Sequence, residues 1–548
     1  MSIILDNVGV TAPDSPDVTL LRDISFTLQE GSMTLLIGHA GSGKSTLLQV
    51  LSGLLHPHAG TITLDEQPVW LKPTKADAKQ LLRFGLTFQF PEQQLFARSI
   101  RQEFAYSLRP YKLSAEERER RIHEATDRLD PHGVFAMDRS PFALSGGEQR
   151  RLALATTFAT APGWLLMDEP TAGLEAAAVR ELLRMLRGHR GGLVVATHDL
   201  DTFFPLADRV LVLAHGELVF DGSPQELCRA PEVLARAGVG LPSCAEASQD
   251  LARVGIAIAP DLLTPTAAAS AILSALRREG GSASAAAAQP AAARAASTAQ
   301  PQQQPAAQAG WLRRDPRAKW LLYLLLAIGS MGQQGWGSLA LAAALVGCAF
   351  IGLPHSVVRG IRKIAVSYAI FLLFSVALAG LEVSPWGYSA ENAWSTTFIL
   401  ARLFVVLLAG YWLAMSTPYG QLVQGLNWAL QYLHRWKVPV ASFSLAVSFL
   451  FRFIPLILRE WQQFSTIVRA RGKASVRPGS VRVRDIPALV VPLLLAMFHR
   501  AEQMTVALEM KQIDGMTLLL RKCTLQWQRA DTILAVCALL AGGILLYT

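Results

Sequence analysis

Residues 38–46 form a glycine-rich run whose residue types suit phosphate binding. They match the pattern G-x-x-x-x-G-K-[ST], in which backbone N–H groups approach phosphates and the lysine reaches the terminal ones. Lys44 is therefore the predicted ligand of the terminal phosphates of ATP, and Ser45 is the predicted ligand of Mg²⁺. A chance match in a glycine-rich turn is the alternative. The predicted nucleotide-binding residues of this run are Gly38, His39, Ala40, Gly41, Ser42, Gly43, Lys44, Ser45 and Thr46.

Two adjacent carboxylates follow an apolar run that ends at Met167. Asp168 suits coordination of Mg²⁺, and Glu169 could polarise the water that attacks the γ-phosphorus. The alternative for Glu169 is an ordinary acid in a surface turn. His198 follows a second apolar run and could contact the same phosphate, although a histidine there is more often structural. Glu169 and His198 are the predicted catalytic residues of this region.

The segments that must position these residues alternate between predicted strands and predicted helices. Short apolar runs at Met33–Ile37, Trp164–Met167 and Leu193–Ala196 predict strands, and Ala176–Arg187 predicts a helix. Such alternation favours an α/β fold with parallel strands, whose carboxyl ends bind phosphates.

The six residues from Leu144 to Gln149, L-S-G-G-E-Q, precede the acidic pair at a distance typical of ABC ATPases, so residues 1–278 resemble that family. The resemblance implies that Gln89 lies in a loop that contributes to catalysis and to Mg²⁺ binding. It also implies that the L-S-G-G-E-Q segment closes over ATP held by a second ATPase. The residues implied for that contact are Ser145, Gly146, Gly147, Glu148 and Gln149.

The family works as a pair, and this chain has one set of motifs. A second ABC ATPase, identical or different, is therefore an expected partner. Two positions depart from the family pattern. The segment Val8–Pro13 lacks the aromatic residue that is expected to stack on adenine, and Glu175 stands where aspartate is usual.

The segment Phe88–Phe96, F-Q-F-P-E-Q-Q-L-F, resembles the F-Q-x-P-x-x-Q-L-F pattern of energy-coupling factor ATPases, a subclass of transporter ATPases. A generic glutamine loop is the alternative. The tail from Gly240 to Ala271 also resembles the short C-terminal extension of that subclass.

The chain changes character after residue 278. Residues 279–310 are rich in Ala, Gln and Pro and predict a disordered linker. Residues 311–548 predict a membrane domain, in which Trp320–Val358 is free of Asp, Glu, Lys and Arg. Predicted spans lie near 320–333, 336–354, 364–381, 393–415 and 532–548.

The basic residues flank these spans, which accounts for much of the net charge of +9 and favours contact with a lipid bilayer over nucleic acid. Arg313 and Arg314 before the first span, and Arg362 and Lys363 after the second, predict that these segments face the cytoplasm. We therefore expect a multi-pass protein of the cell inner (cytoplasmic) membrane with a cytoplasmic ATPase domain.

Residues 416–530 predict long amphipathic helices near the inner face, with solvated basic helices that bind lipid headgroups as the alternative. Most of residues 311–548 resemble the transmembrane, or T, component of energy-coupling factor transporters. In that family an Ala-Arg-Gly motif ends each of two coupling helices and contacts the ATPases. Arg471, in Ala470-Arg471-Gly472, is the first such arginine, and Lys511 stands in the second place.

The resulting prediction is an α/β ABC-type P-loop ATPase domain followed by an all-α polytopic membrane domain with amphipathic coupling helices. The resemblance implies an ATP-hydrolysing module with ATP and Mg²⁺ as cofactors. In that family a separate small membrane protein, the S component, captures vitamins or nickel and cobalt ions. The alternatives are an exporter-like half-transporter and a membrane-tethered, non-catalytic nucleotide sensor.

Overall fold

The computed structural model describes most of the chain outside its central segment. The described residues are 2–12, 15–73, 75–130, 133–253, 266, 269–274, 314–351, 353, 355–383, 386–418, 421–422, 424–425, 428–429, 440–474, 480–510 and 527–547. The predicted linker, 279–310, lies outside them, as does Lys511.

The chain forms two compact units whose boundaries do not follow the sequence order. One unit contains residues 1–290 together with 457–502, and the other contains 291–456 together with 503–548. Segment 457–502, which the sequence places in the membrane half, thus packs with the ATPase half. The domain boundaries predicted at 278 and 310 remain predictions.

A six-stranded sheet forms the centre of the first unit, with strand order β12-β11-β3-β10-β9-β8. Five of these strands run parallel, and β12 pairs antiparallel with β11. The strands are β3 Met33–Ile37, β8 Phe84–Thr87, β9 Trp164–Asp168, β10 Gly192–Ala196, β11 Arg209–Ala214 and β12 Glu217–Gly222.

Both faces of this sheet are covered, as expected for parallel strands. Side chains alternate between two core clusters: Leu35 and Ile37 belong to one, and Leu36 belongs to the other. Strand β9 alternates in the same way, with Met167 in the first cluster and Leu166 in the second. These strands, buried along their whole length, therefore hold their carboxyl ends at fixed positions.

A smaller antiparallel sheet, ordered β2-β1-β4-β5, packs through the second core cluster. Its strands and the short pair beside it are β1 Ser2–Ala12, β2 Ser15–Gln29, β4 Ala59–Leu64, β5 Gln67–Pro68, β6 Trp70–Lys72 and β7 Lys75–Ala76. The helices of residues 1–290 are α1 Lys44–Leu51, α2 Ala78–Leu81, α3 Ile100–Leu108, α4 Ala115–Leu129, α5 Gly146–Phe158, α6 Ala176–Arg187, α7 Leu200–Phe203, α8 Pro224–Cys228, α9 Pro231–Arg236 and α10 Ser243–Arg253.

The rest of the chain is helical apart from one short hairpin, β13 Leu381–Val383 and β14 Trp386–Tyr388, among the described residues. Within the part of the chain that the structure describes, three segments are long and apolar enough to cross a membrane: Gly360–Ala379, Ala390–Ser416 and Arg529–Tyr547. The helices are α11 Pro316–Gly332, α12 Trp336–Ala349, α13 His355–Ala379, α14 Ala390–Ser416, α15 Val440–Arg471, α16 Ile486–Met510 and α17 Arg529–Tyr547. The α/β domain followed by a helical domain with apolar helices confirms the predicted fold class.

Helices α11 and α17 pack closely because small residues face the partner helix. A Cβ on Gly329 would lie 2.7 Å from Cβ of Leu545, and one on Gly542 would lie 3.0 Å from Cβ of Leu325. The Gln333 amide also donates to the Leu545 carbonyl at 2.6 Å. Small residues that permit close backbone approach, with a polar side chain across the contact, are typical of helix pairs in membranes.

Strand pairing between β9 and β10 yields a stability prediction. Gly192 lies opposite Trp164, and a Cβ there would be 2.2 Å from the indole ring. We expect Gly192→Ala to lower the free energy of unfolding by about 1–3 kcal/mol through overpacking. Urea unfolding of the detergent-solubilised chain measures this. Gly188→Ala is the matched control, since its nearest neighbour would be 3.5 Å away. Equal effects of the two substitutions would contradict the overpacking argument.

Candidate functional site

The glycine-rich loop lies between β3 and α1, in the order that the sequence predicts. Helix α1 begins at Lys44, directly after Gly43, whose φ of 105° lies in the left-handed region. A Cβ on Gly38 would lie 2.2 Å from the Leu213 carbonyl oxygen, and one on Gly43 would lie 2.7 Å from Leu21. Glycine is therefore required at both ends of the loop, where the backbone approaches β11 and β2.

Beside the loop is a cavity of about 470 Å³. The Lys44 ammonium lies at its edge and donates to the carbonyls of Gly38, at 2.6 Å, and His39, at 3.1 Å. The Ser42 hydroxyl is buried and has no hydrogen-bond partner among the described residues. Gly41 has open space where a side chain would be. The cavity is lined by Val18, Thr19, Leu20, Gly41, Gly43, Lys44, Ser45, Thr46, His215 and Gly216.

This arrangement fits a nucleoside triphosphate. Backbone N–H groups at the start of α1 and the Lys44 charge favour an anion, and the orphan Ser42 hydroxyl is a further donor. Thr46 lines the cavity, whereas His39 and Ala40 form the outer turn of the loop and are partly or fully exposed.

The two carboxylates reach the same edge because β9 and β3 flank β10 in register. Ala196 of β10 pairs with Asp168 of β9 and with Leu36 of β3. The Ser45 hydroxyl lies near the Asp168 carboxylate and acts to lower the pKa of that carboxyl, so the two predicted Mg²⁺ ligands are neighbours. These two oxygen donors, one of them anionic, fit a hard divalent cation.

Burial controls the electrostatics of this edge. Burial raises the pKa of the Asp168 carboxyl and the nearby Glu169 charge adds to the shift, while the Ser45 hydroxyl and Lys44 oppose it. Burial lowers the pKa of the Lys44 amine, and the charges of Glu169 and Asp168 oppose that shift. The site therefore places one cation against two carboxylates in a partly desolvated pocket, where charge interactions are stronger than in water.

Glu169 is held in an uncommon backbone conformation. Its φ is 48°, in the left-handed region, and its N–H donates to the Ala196 carbonyl at 2.8 Å. The carboxylate accepts hydrogen bonds from Nδ1 of His198, at 2.8 Å, and from the Thr197 hydroxyl, at 3.3 Å. The Glu169 side chain is 10% exposed and the His198 ring is 76% exposed. A buried carboxylate thus contacts an accessible imidazole, which is a geometry suited to orienting a water molecule.

Gln89 lies two residues beyond the end of β8, which pairs with β9 through Thr87 and Met167. It therefore leaves the sheet at the edge where Asp168 lies, and its side chain is exposed.

The L-S-G-G-E-Q segment forms the start of α5. Ser145 is the N-cap, and its backbone N–H donates to Glu148 at 2.7 Å in a capping box. Ser145, Gly146 and Gly147 are exposed, while Gln149 donates back to the Leu144 carbonyl at 3.0 Å. Among the described residues, the lining of the phosphate-loop cavity includes no member of this segment. The structure leaves an exposed helix N-terminus, which is an anion-binding geometry.

Arg471, in segment 457–502, makes several polar contacts with the ATPase half. Its guanidinium lies 2.7 Å from the Glu103 carboxylate, and the side chains of the pair are 5% and 0% exposed. It also donates to Ser107 at 2.9 Å and to the Gln94 carbonyl, and it lies 4.7 Å from the Phe96 ring centre. The glutamate carboxylate in turn accepts the N–H groups of Phe96 and Ala97 at 2.5 Å. The contact therefore joins the end of α15 to α3 and to the loop that follows Gln89.

Two flanking cations that the sequence did not single out for this role take part in the same contact. Arg469 is 3% exposed and donates to the Leu54 carbonyl at 2.9 Å, just beyond α1. Lys473 donates to the Phe84 carbonyl of β8. Burial lowers the pKa of both groups, to about 10 and about 8 respectively. Their acceptors are backbone carbonyls, so no sequence pattern reveals them in advance.

A second ion pair supports the same region. Arg109, after α3, lies 2.6 Å from Asp485, whose side chain is 1% exposed. Ala470, from the predicted Ala-Arg-Gly motif, packs into the core cluster that contains Leu36 and Leu48. The predicted second contact residue, Lys511, lies outside the described residues.

Two protein families match different parts of the chain. Residues 21–172 match the ABC transporter family, and residues 310–518 match a family described as cobalt transport protein. The first match lies within the predicted ATPase half, and the second spans most of the predicted membrane half.

Curated relatives match the first half. The chain is 41% identical to energy-coupling factor transporter ATP-binding protein EcfA2 of Symbiobacterium thermophilum over 46% of this chain and 88% of the relative. It is 34% identical to the protein of the same name from Clostridium perfringens over 50% of this chain and 98% of the relative. A solved structure of cbiO1 from Clostridium perfringens, part of the ABC transporter complex cbiONQ, is 27% identical over 46% of this chain and 96% of that chain, with a TM-score of 0.38.

The buried ion pair of Arg471 and Glu103 yields a testable prediction. We expect Arg471→Met to destabilise the chain by about 3–5 kcal/mol, because it leaves a carboxylate buried without its partner charge. Glu103→Gln should also destabilise the chain, while the double variant should cost less than the sum of the two. Urea unfolding of the detergent-solubilised chain measures the cycle. Arg459→Met, at an exposed position of the same helix, is the control. Strictly additive effects would contradict the pairing.

Proposed function

Because the chain belongs to the energy-coupling factor family of ABC transporters, with the ATPase and the transmembrane T component fused in one polypeptide, we propose that it is the energy-coupling module of an importer. Membership of the family establishes an ATP-binding membrane protein that couples ATP hydrolysis to transport. The proposal adds that the solute is a vitamin or a transition-metal ion. It further adds that a separate small membrane protein, the S component, captures this solute.

The observation that carries the catalytic part is the contact between Glu169 and His198 just beyond the carboxyl ends of β9 and β10. Glu169 would accept a proton from the attacking water, and His198 would hold that carboxylate and the γ-phosphate in place. Lys44 and the loop N–H groups would bind the phosphates. Ser45 and Asp168, with Gln89 at the sheet edge, would hold Mg²⁺, which neutralises phosphate charge when bound.

A second ABC ATPase would complete the site. Ser145, Gly146 and Gly147 are exposed and lie at a helix N-terminus, which suits them to bind the γ-phosphate of a nucleotide held by the other ATPase. Glu148 and Gln149 would keep that turn in shape through the capping box and the Leu144 hydrogen bond. ATP binding and pairing of the ATPases would then be one event.

Arg471 would transmit that event to the T component. Its partners lie on α3 and beside the loop that contains Gln89, so a movement of either element displaces the end of α15. Lys511 is proposed to make the second contact of this kind. The basic residues before the first apolar helix favour an ATPase on the cytoplasmic side of the inner membrane.

Substitutions at the site test the catalytic assignment. We expect Lys44→Ala to abolish ATP binding, since it removes the cation of the cavity, and Glu169→Gln to preserve binding while lowering turnover by at least about 100-fold. Equilibrium binding of ATP and release of phosphate by the purified chain, with its partner ATPase if one co-purifies, measure the two steps. Normal hydrolysis by the Glu169→Gln protein would remove the catalytic assignment, whereas absence of hydrolysis in the unsubstituted protein would favour the nucleotide sensor.

Affinity purification from native membranes tests the transport assignment. We expect the tagged chain, extracted in mild detergent, to bring with it a small, very apolar membrane protein that mass spectrometry identifies. The S component would also define the class of solute. A chain that purifies without any such partner but hydrolyses ATP would favour the exporter-like alternative.

A further inference from the structure

The base-binding side of the nucleotide cavity has an unexpected composition. Ala12, at the end of β1, lies in the segment that lacks an aromatic residue. Among the described residues that line the cavity, His215 is the one with an aromatic ring. A purine base in water stacks on flat π-surfaces, and such stacking contributes a large part of the affinity of proteins for bases. The cavity therefore offers a candidate stacking group, His215, that does not belong to β1.

His215 lies at the tip of the hairpin between β11 and β12. Its φ is 51° and that of Gly216 is 83°, so both central residues of this two-residue turn are left-handed, as a type I′ hairpin requires. A Cβ on Gly216 would lie 2.5 Å from the Leu20 carbonyl oxygen. The turn consequently packs against β2 with no space for a larger residue in place of this glycine.

One backbone hydrogen bond holds the turn against the phosphate loop, and a second holds it against β2. The Gly216 N–H donates to the Ser42 carbonyl at 3.1 Å, and the Arg22 N–H donates to the Gly216 carbonyl at 2.9 Å. His215 thus keeps a fixed position relative to the residues that would bind the phosphates. A stacking group must have such a fixed position, because the base and the triphosphate are parts of one ligand.

The imidazole of His215 also contacts a second histidine ring on one side. Its ring centre lies 4.9 Å from that of His39, at an interplanar angle of 53°. His39 is itself held, since its Nδ1 lies 2.7 Å from the Ala40 carbonyl and its backbone N–H donates to Ala237 at 3.1 Å. His215 remains exposed, and so does Val18 on the same cavity wall, which is 50% exposed. The wall therefore combines an accessible ring with an apolar surface.

We infer that His215 is the stacking platform for the purine base of the bound nucleotide, with Val18 as the apolar surface beside it. The inference rests on the proposed function, because it assigns the base end of the same ATP site. It makes His215 a specificity-determining residue, and it assigns no part in hydrolysis to this side chain.

The experiment separates base binding from phosphate binding. The full chain, carrying Glu169→Gln to prevent turnover, is titrated calorimetrically with Mg-ATP and, separately, with Mg-tripolyphosphate, which has no base. We expect His215→Ala to raise the Kd for ATP by at least about fivefold, the lower end of the range for base stacking, and to leave the Kd for tripolyphosphate within about twofold. His215→Phe should restore ATP affinity, because it keeps a π-surface.

Other outcomes would overturn the inference in distinguishable ways. Unchanged affinity for ATP in His215→Ala would show that the base does not contact this ring. An equal loss for ATP and tripolyphosphate would show that the hairpin only supports the phosphate loop. His123→Ala, a largely exposed histidine on α4, is the matched control and should change neither Kd. Failure of the Glu169→Gln chain with His215 intact to bind either probe would count against the proposed function itself.

Discussion

Three neighbouring parallel strands, β3, β10 and β9, end at one edge of the central sheet, and this register constrains the chemistry of the molecule. The strands are buried on both faces, so a shift of one residue along any of them would move apolar side chains to the opposite face. Their carboxyl ends therefore have little freedom. Lys44 and His198 come after β3 and β10, and Asp168 is the last residue of β9, so these residues converge because the strands do.

Desolvation at this edge has two opposite effects. It raises the pKa of Asp168 and lowers that of Lys44, so it disfavours the charged form of each group, and the opposite charge nearby offsets only part of that cost. Glu169 sits beside them in a left-handed conformation that a non-glycine residue adopts at some energetic cost. The hydrogen bond that the Glu169 N–H donates to the Ala196 carbonyl, and the contacts of its carboxylate with Thr197 and His198, fix that conformation. The site thus concentrates charge and strain where a highly charged ligand would bind.

The contact of α15 with α3 depends on a buried ion pair and not on strand register. A fully buried carboxylate, Glu103, would be costly alone, and Arg471 supplies the charge that offsets its desolvation. Arg469 donates to a backbone carbonyl just beyond α1, and Lys473 donates to one in β8. Both contacts therefore depend on the positions of those main-chain segments. Because α1 follows the phosphate loop and β8 leads to Gln89, the end of α15 touches both elements that would respond to nucleotide.

The sequence by itself determined the order of strand, glycine loop and helix, the acidic pair, and the change from an α/β domain to apolar helices. These features depend on local spacing and on runs of one residue type, which a single segment contains in full. The predicted strands Met33–Ile37 and Trp164–Met167 coincide with β3 and β9 to within one residue. The pairings of Arg471 with Glu103, of Arg109 with Asp485, and of Gly216 with Ser42 were decided by the tertiary structure alone. They join residues that are more than 170 positions apart, often through backbone atoms that every residue has. The Ala-Arg-Gly motif indicated that Arg471 contacts the ATPase, but no pattern in the sequence identified Glu103 as its partner.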